Sequence, residues 1–358
     1  MLHAPDNLPG VARIAVLKAG GLGDVIFGLP ALEALRAAYP SAEIVLLTSR
    51  LAAELLRGRP SDADAVLVVP AFEGDEAQAP EARARLEAFC ERVRGERFDL
   101  ALQMHGGGAN SNPLTARLGA RLTAGLRAPG APPLDRTAPY VHFQSEVARG
   151  LEVAGLVGAS AVSLEPRVRL TSADESAAGT ALPPDGRPLA VLHPGAGDPR
   201  RRWPAAKFAE VGRELAAAGA RLAVIGTPPE SALTAAIAAA VPSAADLCGA
   251  LGMRALAGML GRAAVVVSND SGPLHLANAV GAATVGVYWC GNLVNAGPAT
   301  VARHRAFAAW RLECPACGAD CMADGCGHDA SFVADVPVSE VAAAALELLN
   351  ASPPRRPV

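Results

Sequence analysis

Four stretches of this 358-residue chain gather residue types that can do chemistry. The first is Lys18-Ala-Gly-Gly-Leu-Gly-Asp24, set between the apolar run RIAVL and a stretch with apolar residues at helical spacing. Glycines such as Gly21 and Gly23 let a backbone approach a ligand closely, and a helix N-terminus attracts anions. The dinucleotide spacing G-x-G-x-x-G is absent here. Asp24 is the informative side chain, because a carboxylate on a glycine hinge is placed to take a proton. Aspartate is also a leading helix-capping residue, so a plain cap stands as the alternative.

The second stretch is His193-Pro-Gly-Ala-Gly-Asp-Pro-Arg-Arg-Arg-Trp-Pro204. Arg200, Arg201 and Arg202 beside glycines suit phosphate, since guanidinium forks match phosphate oxygens and keep their charge. A solvated charge run is the alternative. The third is Ser268-Asn-Asp-Ser-Gly-Pro-Leu-His275, where the amides of Ser271, Gly272 and Leu274 would form an anion site of diphosphate size. An ordinary capped turn is its alternative. The fourth holds Cys314, Cys317, Cys321 and Cys326, four thiols within thirteen residues. They are enough ligands for a tetrahedral zinc or an iron–sulfur cluster in a structural role. Free or buried thiols and disulfides stay open. His105, in Met104-His-Gly-Gly-Gly108, ends an expected strand and either faces a second substrate or is a satisfied structural histidine.

These motifs need elements to hold them. Strands are expected at 13–18, 43–48, 65–69, 98–103 and 121–125, with helices at 25–39, 51–57, 81–94 and 142–157. Residues 72–80 are expected to form a mobile loop. The pattern restarts with strands at 189–193, 221–226, 264–268 and 283–288 and helices at 205–218, 231–240, 254–261, 273–280 and 338–349. Strands separated by helical stretches imply parallel sheets. The expected class is therefore α/β, with two doubly wound Rossmann-like domains facing a central cleft. The first spans 1–160 and the second 189–350, joined by a proline-bearing linker at 161–188. Residues 351–358 are expected to be a disordered tail. Ligands of such sheets lie beyond the carboxyl ends of the strands, where the three glycine-bearing turns are expected to meet.

Composition narrows the function classes. Hydrophobic residues make up 51% and charged residues 19%, which excludes disorder as the main state. The net charge is −3, which argues against a general nucleic-acid binder. Only Lys18 and Lys207 are lysines among 32 basic residues, a bias without functional weight. No apolar run approaches the ~18 residues that span a bilayer. The start MLHAPDNLPG has neither a basic nor an apolar signal region, so a cytoplasmic chain is expected. Cys90, Cys248 and Cys290 are scattered and read as small hydrophobes.

Taken in order, three of these motifs resemble glycosyltransferase family 9, the heptosyltransferases of lipopolysaccharide assembly. The matching marks are G-G-L-G-D-V…P-A-L-x-A-L-R at 20–36, H-P-G…R-W-P at 193–204 and N-D-S-G-P-x-H at 269–275. The resemblance runs from about residue 13 to about residue 349. Glycogen and starch synthases share K-x-G-G-L-G-D but are longer chains. The resemblance implies the GT-B fold and an inverting transfer of a sugar, a heptose from ADP-heptose, to a lipopolysaccharide core or other glycolipid or oligosaccharide. It implies Asp24 as catalytic base; with that base at the acceptor, Lys18, Gly21, Gly23 and the strand-end His105 are expected on the acceptor side. It implies Arg201 against donor phosphate, Glu230 against the ribose, and Asp270, Ser271, Gly272 and His275 around the diphosphate and sugar. No cofactor is required for such catalysis, and membrane association is at most peripheral, at the inner face of the cytoplasmic membrane. The turn Trp289-Cys-Gly-Asn-Leu-Val-Asn-Ala-Gly-Pro298 departs from the family's usual Gly-Pro-Thr-like turn, which bears on donor identity. Two other readings stay open: a nucleotide-sugar epimerase or hydrolase, and a non-catalytic nucleotide-sugar binder.

Overall fold

The computed structural model describes residues 7–72, 74–321 and 326–351. The chain divides into two compact units, Met1–Pro166 and Arg167–Val358. The first unit is built from β1 (Arg13–Leu17), α1 (Leu22–Ala38), β2 (Glu43–Thr48), α2 (Arg50–Leu56), β3 (Ala65–Val68), α3 (Pro80–Arg94), β4 (Leu100–Gln103), α4 (Ser111–Arg117), β5 (Leu122–Arg127), β6 (Arg136–Pro139) and α5 (Glu146–Gly155). Its sheet has the order β3-β2-β1-β4-β5-β6, every neighbouring pair parallel.

The second unit contains α6 (Ser172–Ala181), β7 (Leu189–His193), α7 (Ala205–Ala217), β8 (Arg221–Val224), α8 (Ser231–Ala240), β9 (Ala245–Asp246), α9 (Met253–Arg262), β10 (Val265–Asn269), α10 (Gly272–Ala279), β11 (Thr284–Trp289), α11 (Cys290–Ala296), β12 (His304–Ala309) and α12 (Val338–Ala351). Its sheet runs β12-β11-β10-β7-β8-β9, again all parallel. In each unit the first strand therefore lies between the second and the fourth, the doubly wound order. The order reverses between β1 and β4 in one sheet and between β7 and β10 in the other, the switch points beside which ligands of doubly wound sheets bind.

Central strands buried on both faces explain the near-continuous apolar runs. All five residues of β7 and of β10 are buried, as are Ile14 to Leu17 of β1. In the second unit Trp203, Phe208, Leu222, Val265, Val285, Val341 and Leu348 belong to one core that joins α7 and α12 to the sheet. Among the described residues, no helix is long and apolar enough to cross a membrane.

Several elements went unforeseen in the sequence. β6 carries Pro139, β9 has two residues and β12 is an edge strand, so each gives a weak period-two signal. The expected linker contains α6, opened by a capping box in which Asp174 accepts the Thr171 amide and hydroxyl at 2.8 Å each. The helix expected from His142 begins instead at Glu146, because Arg149 draws the carbonyls of Val141 and His142 to its guanidinium and out of helical pairing. The expected loop at 72–80 includes a short 3-10 turn, Asp75–Gln78. The Trp289–Pro298 turn includes α11. Of the expected tail, Ala351 ends α12 and 352–358 lie outside the described residues.

Candidate functional site

In the second unit, the switch point of the sheet collects the motifs at 193–204 and 268–275. Asn269, fully buried at the end of β10, holds them together. Its Oδ1 accepts the Trp203 amide at 2.9 Å and its Nδ2 donates to Pro194 O at 2.7 Å. Asp270, 2% exposed, follows it. Its Oδ2 pairs with Arg201 Nη1 at 2.9 Å and its Oδ1 lies 3.0 Å from His275 Nε2. Arg201, Asp270 and His275 thus form one polar chain, with the guanidinium the most exposed member.

The three arginines do different things. Arg200 is bound bidentately to Asp198, and Arg202 donates twice to Ala196 O. Arg201 is the one directed at Asp270, on a 3-10 turn, Pro199–Arg201. Ser271 caps α10, which has Pro273 in its first turn. The expected set of three free amides is reduced, because Leu274 N already donates to Ser271 O at 3.1 Å. Gly272 opens the helix, so its amide and that of Ser271 belong to the helix end that intrahelical bonding leaves unfilled.

Glu230 lies after β8, the second strand of the unit, where a dinucleotide fold carries its ribose-binding acid. Its Oε2 accepts the amide and the hydroxyl of Thr227, both at 2.8 Å. His193 Nε2 is 3.8 Å away, too long for a hydrogen bond. Burial pulls this carboxyl upward, but the His193 imidazole and the Thr227 amide and hydroxyl outweigh it and hold it down at about 2. On its other ring nitrogen, His193 Nδ1 lies 3.1 Å from both Ser268 Oγ and Ser271 Oγ. A polar line therefore runs from Glu230 through His193 to the cap of α10.

In the first unit, Asp24 is the third residue of α1 and its Oδ2 accepts the Gly21 amide at 2.8 Å, a capping contact. Gly20 has to lack a side chain here, since a Cβ would fall 2.7 Å from that oxygen. Gly23 lies in the first turn of α1. A carboxylate has two oxygens, so capping by one leaves proton acceptance by the other chemically open. Lys18, only 4% exposed, is less available than its motif implies, because its Nζ pairs with Glu146 Oε2 at 2.9 Å. Glu146 also pairs with Arg149, which is 2% exposed and lies over the Tyr140 ring at 4.5 Å. Burial alone would raise the Glu146 carboxyl, yet Lys18, Arg149 and the nearby His105 hold it below the usual range. His105 packs edge-on against Phe72 at 5.6 Å, and its carbonyl accepts from Ser111 Oγ at 2.7 Å.

Sequence reasoning missed Glu146, Arg149, Asn269 and His193 as site-forming residues. The first two come from α5, over a hundred residues from Lys18, and carried no local motif. Asn269 and His193 stood inside these motifs, but only the pairing of β7 with β10, which sets Ser268 opposite His193, gives them a task. The cysteine segment also differs from its expectation. Ligand atoms of Cys314, Cys317, Cys326 and His328 lie within 4.8 Å of one another, whereas Cys321 is not part of that group. All seven cysteines are free thiols.

A family model described as glycosyltransferase family 9 (heptosyltransferase) matches residues 86–318. Among solved structures, a glycosyl transferase family 9 protein from Veillonella parvula is 20% identical, with a TM-score of 0.78, over 95% of this chain and 97% of that one. The ADP-heptose lipopolysaccharide heptosyltransferase II of E. coli is 18% identical, with a TM-score of 0.74, over 94% of this chain and 98% of that one. E. coli heptosyltransferase WaaC with ADP is 22% identical, with a TM-score of 0.68, over 83% and 93%. These likenesses establish the fold, GT-B, with its two α/β units. No curated protein matches the sequence.

Proposed function

Because the chain belongs to glycosyltransferase family 9 (heptosyltransferase), we propose that this glycosyltransferase moves a heptose from ADP-heptose to a hydroxyl of a lipopolysaccharide core or related saccharide. The first unit takes the acceptor and the second the donor. The observation that carries the reading is the Arg201–Asp270–His275 chain at the switch point of the second sheet, which joins the H-P-G…R-W-P stretch to the N-D-S-G-P-x-H motif.

The donor diphosphate is bound by the Arg201 guanidinium and the amides of Ser271 and Gly272 at the start of α10. The helix dipole and a charged fork act together there, with Asp270 and His275 fixing the direction of the guanidinium. Glu230 serves the ribose, as its place after the second strand suggests. Asp24 takes the proton of the acceptor hydroxyl, whose oxygen attacks the anomeric carbon on the face opposite the diphosphate. The bond from that carbon to the diphosphate oxygen breaks, and ADP leaves with the electron pair. One displacement inverts the anomeric centre. Base and leaving-group stabilisation are separate groups, as this requires, and the step needs no cofactor. Lys18, Gly21, Gly23 and His105 belong to the acceptor side, Lys18 through the Glu146 pair rather than as a free amine. An acceptor of this kind brings a cytoplasmic protein to the inner face of the membrane as a peripheral visitor.

A thermal-shift series with nucleotide sugars, followed by product analysis with and without acceptor, tests this. ADP-heptose at ~100 times its Kd should stabilise by about 2.7 kcal/mol, and sugar should move only when acceptor is present. Free sugar released without acceptor would make the protein a hydrolase, and an altered sugar still on the nucleotide would make it an epimerase. Binding with no turnover at all would leave a nucleotide-sugar binder.

A further inference from the structure

We infer that Cys314, Cys317, Cys326 and His328 form a structural zinc site that clamps the end of a loop onto the arginine turn at 199–202. The spacing is C-x2-C-x8-C-x-H, and the four ligand atoms already lie within 4.8 Å of one another. A tetrahedral zinc with bonds of about 2.3 Å to sulfur separates its ligands by roughly 3.8 Å, so binding needs a contraction of about an ångström or less. Three thiolates and one imidazole are a closed, four-coordinate set of the structural kind. An iron–sulfur cluster would draw on four thiolates, and the fourth thiol, Cys321, lies outside the group, with Ala319 O 3.9 Å from its Sγ.

The local backbone is shaped as a ligand turn. Cys314 O accepts the Gly318 amide at 2.8 Å, Cys314 N donates to Ala319 O at 2.8 Å, and Gly318 has φ +72°. That left-handed residue turns the chain back. Among the ligands Cys317 and His328 are exposed and Cys314 alone is buried. A loop of this composition gains its order from an ion rather than from a core.

Both ends of the loop are fixed to elements near the donor motifs. On the entry side Arg311 O accepts the Trp289 indole N–H at 2.7 Å. On the exit side Ser331 Oγ donates to Arg202 O at 2.7 Å and Phe332 N donates to Arg200 O at 2.7 Å. The Phe332 ring lies under the Arg200 guanidinium at 5.2 Å and beside Trp289 at 5.9 Å. His328, the last ligand, is three residues from Ser331. Zinc would hold His328 to the Cys314 turn and thereby keep Ser331 and Phe332 seated on the turn that carries Arg201. The inference holds whatever ligand Arg201 binds.

The test uses the full chain purified without added metal. Elemental analysis should give about one zinc per chain. Cys321→Ser should keep that content, His328→Ala should lose most of it, and His328→Cys, which supplies another zinc ligand, should regain it. Stripping the zinc with a chelator should raise amide hydrogen exchange at 199–203 and 331–333 by ~10-fold or more, while leaving β1 to β5 unchanged, and zinc should reverse it. A Cys321→Ser variant that loses zinc as His328→Ala does would overturn the ligand set. Protein that carries no metal as purified, with Cys314, Cys317 and Cys326 all titratable as free thiols, or iron in place of zinc, would overturn the site. Unchanged exchange at 199–203 after zinc removal would overturn the clamp.

Discussion

Glu230 occupies the space that a side chain at position 195 would need: a Cβ on Gly195 would fall 1.9 Å from Glu230 Oε1 and 2.3 Å from its Cδ. The glycine of His-Pro-Gly and the acid of Gly-Thr-Pro-Pro-Glu therefore depend on each other. Gly195→Ala should force Glu230 out of its bonds with Thr227 and cost about 1–3 kcal/mol in denaturant unfolding. In a Glu230→Ala background the same substitution should cost less than about 0.5 kcal/mol, a non-additivity that a double-mutant cycle reads directly. Equal costs in both backgrounds would place the clash elsewhere.

The low carboxyl value of Glu230, about 2 against an ordinary 4.5, gives stability a pH signature. A group depressed on folding contributes fully above its unfolded value and loses that contribution as pH falls through its folded value. The contribution, on the order of a few kcal/mol, should be complete above pH 4.5 and fade toward pH 2. Glu230→Gln should lower stability at neutral pH and flatten the slope across that window. Parallel acid-unfolding curves for the two proteins would show that Glu230 does not carry the effect.

Asp24→Asn keeps an oxygen for the Gly21 amide and removes the basicity. Turnover should fall ~10²–10⁴-fold, with nucleotide-sugar affinity and melting temperature nearly unchanged. Near-normal turnover would leave Asp24 with the capping role alone.

Arg201→Ala should weaken binding of a nucleoside diphosphate by ~10–100-fold and leave the bare nucleoside unaffected, since charged hydrogen bonds to phosphate are what is lost. Asp270→Ala should act through the direction of Arg201, lowering both affinity and turnover. It should also cost about 1–3 kcal/mol of stability, because the buried His275 ring loses its partner. Equal losses for nucleoside and diphosphate in Arg201→Ala, by calorimetry, would move that arginine away from the phosphates.

Glu146→Ala should strand Lys18 and Arg149, both almost fully buried, and cost about 3–5 kcal/mol. Adding Lys18→Met should recover part of that loss, because an apolar side chain of similar length removes one of the two unpaired charges. A double variant no more stable than the single one would show that Arg149 alone carries the penalty.

By itself the sequence determined what local physics can encode. Buried parallel strands read as apolar runs, glycine turns followed them, and the helices that cover the sheets showed their period, so β1, β2, β7, β10 and α7 fall close to where pattern placed them. The motifs at 18–24, 193–204 and 268–275 were legible because each is contiguous. Short, proline-bearing or edge elements such as β6, β9 and β12 were not, because few residues carry their period and edge strands tolerate mixed composition. The tertiary structure alone decided the partners. Nothing near Lys18 announces Glu146, no spacing rule selects His328 over Cys321, and three like arginines are told apart only by whether Asp198, Asp270 or Ala196 stands opposite. Those choices depend on distance in space, which the two doubly wound sheets set by bringing the ends of sequentially remote strands side by side.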